Sequence, residues 1–399
     1  MPARRHPWPV RLLLGLTVAA GLLGAAELGL RLILGPPDPP ILVAPRWTRD
    51  GPAFNAEADG VHPRYQNRDQ VPSFAAEPTP GRPRVFVLGG SSVHGGSMLD
   101  HSIEFPALLE ADLASSGLDA EVINLARPSL DSHGISIIVD EALAYRPDLL
   151  VLYLGHNDLG NTTMEARYAG VTGALEARTQ VLLRRLKLYE ILTAGAARSL
   201  PATQAQHADR FRNPPLDASQ RLLAATSLRD NLLHIAYSAK RQGVAVIMVT
   251  PISELSRHPP SGTLCPEHQG LLEQRRGPRN QPETPELDRV LAAQPDCPRL
   301  LFARGERRLR ADLPGACEDL LRANDLDPRP LAASEDMVQA VRDAAQISDA
   351  VLLDMRADVL AEHCVPPQTW FRDNVHFTDA GHRWIAAYLA PAVAAELER

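Results

Sequence analysis

The sequence predicts an α/β protein: a three-layer α/β/α, doubly wound parallel sheet of about five strands, with helical insertions and an N-terminal membrane helix. Three observations predict it. First, five apolar runs of strand length recur, RVFVLG at 84–89, EVINLA at 121–126, DLLVLYLG at 148–155, VAVIMVTP at 244–251 and AVLLDM at 350–355. They are continuous rather than alternating, as strands buried on both faces are. Second, helical patterns separate them, such as FPALLEADL at 105–113, and RWIAAYLAPAVAAEL at 383–397 closes the chain. Strands alternating with helices argue for parallel pairing. Third, short polar motifs follow the strands, and ligands of such sheets sit beyond the strands' carboxyl ends.

Residues 1–35 read as a signal anchor or signal peptide. Arg4, Arg5 and Arg11 precede an uncharged apolar stretch from Leu12 to Ala26 that ends in Gly24-Ala25-Ala26. That is the layout of a secretory signal. The apolar run also extends past Glu27 and Arg31 to Leu34, reaching the roughly 20 residues that span a bilayer. Glu27 and Arg31 are spaced to pair on one helix face. An uncleaved signal anchor is the preferred reading; the alternative is a product secreted after cleavage. Basic residues ahead of the helix keep the N-terminus cytoplasmic, so the remainder is expected in the periplasm or outside the cell.

Residues 36–80, rich in Pro and polar residues, read as a linker and extended lead-in. Residues 81–399 read as one large domain. Two regions interrupt its alternation. Residues 162–225 read as largely helical and are placed to cover a site entrance. Residues 255–345 carry Pro-rich loops and helical stretches such as CEDLLRAN, and read as a helical insertion. Cys265, Cys297, Cys317 and Cys364 lack CxxC or Cys/His metal spacing, and permit three full disulfide pairings or four buried thiols. An oxidising compartment permits the disulfides.

Composition narrows the function. The chain has 399 residues, 45% of them hydrophobic, and a net charge of −7 with no basic stripe. A nucleic-acid partner is therefore not expected. No HExxH, P-loop or dinucleotide fingerprint is present, so neither a metal nor an organic cofactor is expected. The oligomeric state is not legible.

The chemistry lies in four motifs in order: LGGSSVHGG at 88–96, NLARPS at 124–129, LGHND at 154–158 and DNVH at 373–376. Ser91 follows the first strand through Gly89 and Gly90, which permit a tight turn and a close backbone approach. A serine there can be presented at a helix N-terminus with its own N–H available to an anion. Asn157 ends the third strand, where its carboxamide can donate to an oxyanion, although a turn or helix-cap role is the commoner use. Asp373 and His376 stand three apart on a turn. The carboxylate can meet one imidazole nitrogen while the other faces Ser91, with His376 as general base and Asp373 its orienter. Asp158 reads as a loop-holding residue. His156 is expected near the site without an assigned role; Asp131 and His133 either line the pocket or are ordinary polar residues of a surface loop.

From about Val85 to the C-terminus these motifs resemble the SGNH (GDSL-type) hydrolase family. The resemblance implies a flavodoxin-like hydrolase fold and a catalytic triad of Ser91, Asp373 and His376. Gly89-x-Ser91-x-x-x-Gly95 matches the family's first block, although Gly90 stands where the family often has Asp and Val93 where it has Thr. This register selects Ser91 over Ser92. The oxyanion donors it implies are Ser91, Ser129 and Asn157. Ser129 stands where the family has glycine. A serine still supplies the backbone N–H, but crowds the pocket and calls for an unusual backbone angle. Thr378, Gly381 and His382 repeat the family context after DNVH. The expected function is a serine esterase acting on a carboxylic ester, such as a glycan or lipid O-acyl ester. Two alternatives stand: an O-acyltransferase of an exported polysaccharide, and a non-catalytic carbohydrate-binding protein of the same fold.

Overall fold

A computed structural model describes residues 8–34, 53–63, 73–95, 101–161, 183, 186–189, 191–192, 216–260, 285–310, 312–327, 330–363 and 365–399. The chain opens with α1 (Trp8–Leu34) and a hairpin of β1 (Phe54–Glu57) and β2 (Gly60–Pro63). Then come β3 (Arg84–Gly89), α2 (Ser91–His94), α3 (Phe105–Ser115), β4 (Glu121–Asn124), α4 (Ser132–Ala142) and β5 (Leu149–Tyr153). α5 (Ala218–Arg241) leads to β6 (Ala245–Val249), followed by α6 (Pro285–Ala293), α7 (Pro298–Arg308) and α8 (Leu313–Asp325). The last elements are α9 (Glu335–Ser348), β7 (Val351–Leu353), α10 (Met355–His363) and α11 (Asp379–Leu397).

Each of the five apolar runs contains one strand. The main sheet has the order β4-β3-β5-β6-β7 and every pairing is parallel. The chain winds one way from β3 to β4 and the other way from β5 onward. The reversal leaves a crevice at the carboxyl ends of β3 and β5. Gly89 pairs with Tyr153 across it, so the segments after both strands start side by side.

Strand side chains alternate between two cores. Phe86, Leu88, Leu150, Leu152 and Met248 pack with Ile135 and Ile138 of α4, Leu228 and Leu232 of α5, and Val338 and Val341 of α9. Val85, Val87, Val151 and Val249 pack with Phe105 and Leu109 of α3 and with Ile385 and Leu389 of α11. Both faces are covered, which is why the strand sequences show no polar alternation. A fully buried side chain of this size contributes about 1.5–3 kcal/mol, so β3, buried at every position, is the spine of the domain.

Part of the lead-in is folded. β1 and β2 pair antiparallel around Asp59-Gly60, and Gly60 takes the positive φ of 138° that the turn needs. Phe74 bridges to Val61, and its ring meets Phe54, Tyr145 and Phe86 edge-on at 5.4–6.1 Å. The aromatic side chains bring this hairpin onto the sheet. In the predicted insertion, α6, α7 and α8 form a separate core around Leu291, Leu300, Phe302 and Leu320. Cys297 and Cys317 each take part in a disulfide; Cys265 and Cys364 lie outside the described residues. α9 falls partly within 255–345 but belongs to the helix layer on the sheet, because Met337, Val338 and Val341 face its core. Most of the helical region expected at 162–225 lies outside the described residues.

Arg84 is fully buried at the start of β3. Its Nε donates to Glu121 (2.7 Å), its Nη1 to the Tyr145 carbonyl (3.0 Å), and its guanidinium lies 5.5 Å from the Phe74 ring centre. Removing one member of a buried pair strands the other. Arg84→Ala is expected to cost about 3–5 kcal/mol, read as a lowered urea midpoint with unchanged slope.

Candidate active site

Ser91 is the first residue of α2, directly beyond β3. The switch from strand to helix occurs at Gly90, whose φ of −87° and ψ of −154° are extended. Space, not dihedral freedom, selects glycine at this position. A Cβ on residue 90 would lie 2.5 Å from Asn157 Nδ2 and 3.3 Å from the Leu130 carbonyl oxygen. Ser92 is buried, only 3% exposed, whereas Ser91 stands at the crevice.

His376 completes the contact from the other end of the chain. Its Nε2 lies 2.8 Å from Ser91 Oγ, and its Nδ1 lies 2.6 Å from Asp373 Oδ2. Asp373 Oδ1 accepts the backbone N–H groups of Val375 (3.0 Å) and His376 (2.9 Å). Partial burial pushes the Asp373 carboxyl up. The ring hydrogen bond from His376 and these two N–H groups outweigh that and hold it well below the usual carboxylate range. An ionised Asp373 only accepts, so Nδ1 carries the imidazole proton and Nε2 accepts from the serine hydroxyl. The side chains of His376 and Asp373 are 31% and 47% exposed, which leaves water access to the pair.

Arg372 braces this turn. Its backbone N–H donates to the His376 carbonyl (2.8 Å), its Nε to the Phe377 carbonyl (2.8 Å) and its Nη2 to the Gly95 carbonyl (2.9 Å). Gly95 caps α2, so one guanidinium ties the Asp373–His376 turn to the helix that carries Ser91. Sequence reasoning missed Arg372; its place directly before DNVH was the available signal. The Glu254 N–H also holds the turn, donating to the Asn374 carbonyl (2.8 Å).

The second and third motifs meet across the crevice. Ser129 has φ of 64°, the left-handed conformation expected of a residue standing where glycine fits best. The turn after β5 clamps its loop at three points. Asn157 Nδ2 donates to the Leu130 carbonyl (2.8 Å), Asn161 Nδ2 to the Ser129 carbonyl (3.0 Å), and Asp158 Oδ1 accepts the Ser132 N–H (2.9 Å). Asp131 caps α4 through the Gly134 N–H (2.9 Å). Burial, reinforced by the Asp131 charge, pushes the Asp158 carboxyl well above its usual range. Among the described residues, the backbone N–H groups of Ser91 and Ser129 have no acceptor within the protein. Ser91, Ser129 and Asn157 thus bring donors to one crevice. His133 is buried in α4.

His156 is also buried. Its Nδ1 accepts the Ala333 N–H (3.2 Å), so Nε2 carries the proton and faces the Tyr153 hydroxyl at 3.4 Å. The Tyr153 hydroxyl donates to the Ile252 carbonyl (3.3 Å) and accepts the Ile252 N–H (3.1 Å), which fastens the loop after β6. His382 lies beneath the site, where its Nδ1 accepts the Phe105 N–H (3.2 Å) and its ring stacks on Phe105. A cavity of about 170 Å³ opens beside Asn374, lined by Leu255, His258, Phe302, Leu320 and Asn324 among others. Among the described residues, only Glu57, Asp59 and His62 of the β1–β2 hairpin could jointly ligate a metal; their ligand atoms lie within 4.8 Å of one another. Both acids are exposed, and the group is remote in the sequence from the four motifs.

No family model matches the chain, and no curated protein matches it. Solved structures similar to it include the acetyl xylan esterase AlAXEase (13% identity, TM-score 0.38, 78% of this chain and 99% of that one). A lipase/acylhydrolase from Enterococcus faecalis aligns at 14% identity and TM-score 0.38, over 78% of this chain and 96% of that one. The psychrotrophic esterase EstA from Pseudoalteromonas sp. aligns at 10% identity and TM-score 0.38, over 79% and 99%. Ser91, His376 and Asp373 are joined by this chain's own hydrogen bonds.

The buried imidazoles set a pH dependence of stability. Burial, then the charges of His376 and Arg356, push His156 down from 6.5 to about 3. Burial, then Arg372, push His382 down from 6.5 to about 4. Below pH 6.5 the unfolded chain binds protons that the folded chain refuses. The stabilisation is therefore complete above that pH and is lost as pH falls toward the folded values. Tm should fall across this window, and its slope against pH should be shallower in His156→Gln and in His382→Gln than in wild type.

Proposed function

We propose that this chain is an extracytoplasmic serine esterase that hydrolyses a carboxylic ester through an acyl-enzyme. The observation that carries the reading is the unbroken hydrogen-bond chain from Asp373 through His376 to Ser91 Oγ. Ser91 Oγ bonds to the ester carbonyl carbon while His376 Nε2 takes the hydroxyl proton. Asp373 stays ionised, holds the imidazole tautomer and stabilises the imidazolium. The carbonyl oxygen gains negative charge, and the N–H groups of Ser91 and Ser129 with the Asn157 amide are its donors. His376 then delivers its proton to the departing alcohol. In the second half, water attacks the acyl carbon, His376 accepts a water proton, and Ser91 leaves with it as the acid is released. Nothing in this cycle calls for a metal or an organic cofactor.

α1 supports the setting. Its Gly15–Leu34 stretch has 20 residues, a mean hydropathy of 1.6 and no fully buried residue. At about 1.5 Å per residue this length matches the roughly 30 Å of bilayer hydrocarbon. The reading is a membrane anchor that keeps the site outside the cytoplasm, in reach of glycan or lipid esters.

Four variants test it on the full-length protein in detergent. Ser91→Ala is expected to abolish both p-nitrophenyl acetate turnover and labelling by a fluorophosphonate; turnover retained in Ser91→Ala would overturn the reading. Asn157→Ala is expected to lower kcat by about 10²–10³, whereas Ser129→Gly keeps activity within a few-fold, because its donor is main chain. Arg372→Ala is expected to lower kcat with little change in KM, since the guanidinium aligns the triad without reaching the ester. A shift confined to KM would place Arg372 in substrate binding instead.

A further inference from the structure

The N-terminal helix is joined to the globular part by a specific contact. Within α1, Arg31 Nε donates to Glu27 Oε1 (2.6 Å). The same carboxylate accepts two backbone N–H groups from far along the chain, Lys187 to Oε1 at 2.7 Å and Leu188 to Oε2 at 2.9 Å. A carboxylate on an apolar membrane helix is expensive unless partnered, and its partner marks what it is built to meet. Here both oxygens are engaged and the Glu27 side chain is only 13% exposed. Leu12, Leu16, Leu22 and Leu23, on the preceding turns of the helix, are all more than half exposed.

Both sides of the joint carry large apolar side chains that stay exposed. On α1, Leu28, Leu32 and Ile33 are 60%, 78% and 80% exposed. On the docked stretch, Leu186, Ile191 and Leu192 are 37%, 43% and 73% exposed. Apolar surface gathered where a spanning helix meets its domain has one natural cover, the lipid that surrounds the helix. α1 also runs as one helix through Gly24-Ala25-Ala26 to Leu34, so the small residues of the possible cleavage site are helical rather than extended.

We infer that Glu27 latches a retained α1 to residues 186–189 and 191–192, and that these residues make a second membrane contact beside it. The inference rests on the reading of α1 as a membrane helix, and is independent of the chemistry at Ser91. It has a consequence for the site. The docked stretch belongs to the connection from β5 to α5, whose first residues Asn157, Asp158 and Asn161 clamp the Ser129 loop. In sequence, one connection therefore carries both the residues that clamp the Ser129 loop and those of the proposed lipid contact.

The test uses full-length protein in vesicles of phosphatidylethanolamine and phosphatidylglycerol. A benzophenone amino acid replaces Leu192 in one sample and the exposed Ile347 of α9 in another. Lipid adducts at 192 are expected at several times the yield at 347, and Glu27→Ala should reduce them to the level at 347. Hydrogen exchange at the Lys187 and Leu188 amides should accelerate at least ten-fold in Glu27→Ala. Fluorophosphonate labelling of the same samples reports the Ser91 site separately. Adducts at 192 that match those at 347, that go to a second copy of the chain instead of lipid, or that persist unchanged in Glu27→Ala would overturn the latch while leaving the esterase reading in place. A mature protein beginning at Glu27 would overturn the retained helix.

Discussion

The arrangement depends on the parallel pairing of β3 with β4 on one side and β5 on the other. This pairing puts Gly89 level with Tyr153, so the turn that presents Ser91 and the turn that presents Asn157 leave the sheet together. Two chain directions part at this line, and no helix can cover the gap between them. The crevice is a consequence of winding order, and the polar motifs occupy the one place where their side chains avoid a buried sheet face.

Within the crevice the working parts are held by main-chain contacts more than by side-chain pairs. Asp373 is fixed by two backbone N–H groups before it meets the imidazole. Ser129 is held in a left-handed conformation by Asn161, which donates to its carbonyl, by Asn157, which donates to the Leu130 carbonyl, and by Asp158, which accepts the Ser132 N–H. A non-glycine residue in this region costs energy, and the clamp is what makes it tenable. Arg372 performs the equivalent service for the Asp373–His376 turn by reaching the cap of α2. On the proposed esterase reading such preorganisation matters, because hydrogen bonds that need no rearrangement favour the charge that develops during reaction.

Much of the candidate site was legible in the sequence because each part is local. Asp373 and His376 share one turn, and Ser91 and Asn157 each follow a readable strand. The expectation that Ser129 would need an unusual backbone angle is met by its φ of 64°. Contacts between distant segments were not legible. Arg372 to Gly95, Asn161 to Ser129 and His382 to the Phe105 N–H join residues that no period or spacing relates. The β1–β2 hairpin was hidden for a related reason. Its four-residue strands are too short for a clear pattern, and its aromatic residues pack against Tyr145 and Phe86 far along the chain.

The sequence by itself determined the α/β class, the five strand positions, the apolar N-terminal helix and the residue types at the crevice. These follow from hydrophobic runs and short-range spacing, which are properties of neighbouring residues. Tertiary structure decided the strand order and brought Ser91, the serine that motif register had selected, to the imidazole. It also assigned α9 to the sheet rather than the insertion, and gave Glu27 its partners at Lys187 and Leu188. Those outcomes depend on which surfaces meet when the helices close over both faces of the sheet, and that meeting is set by packing across the whole chain.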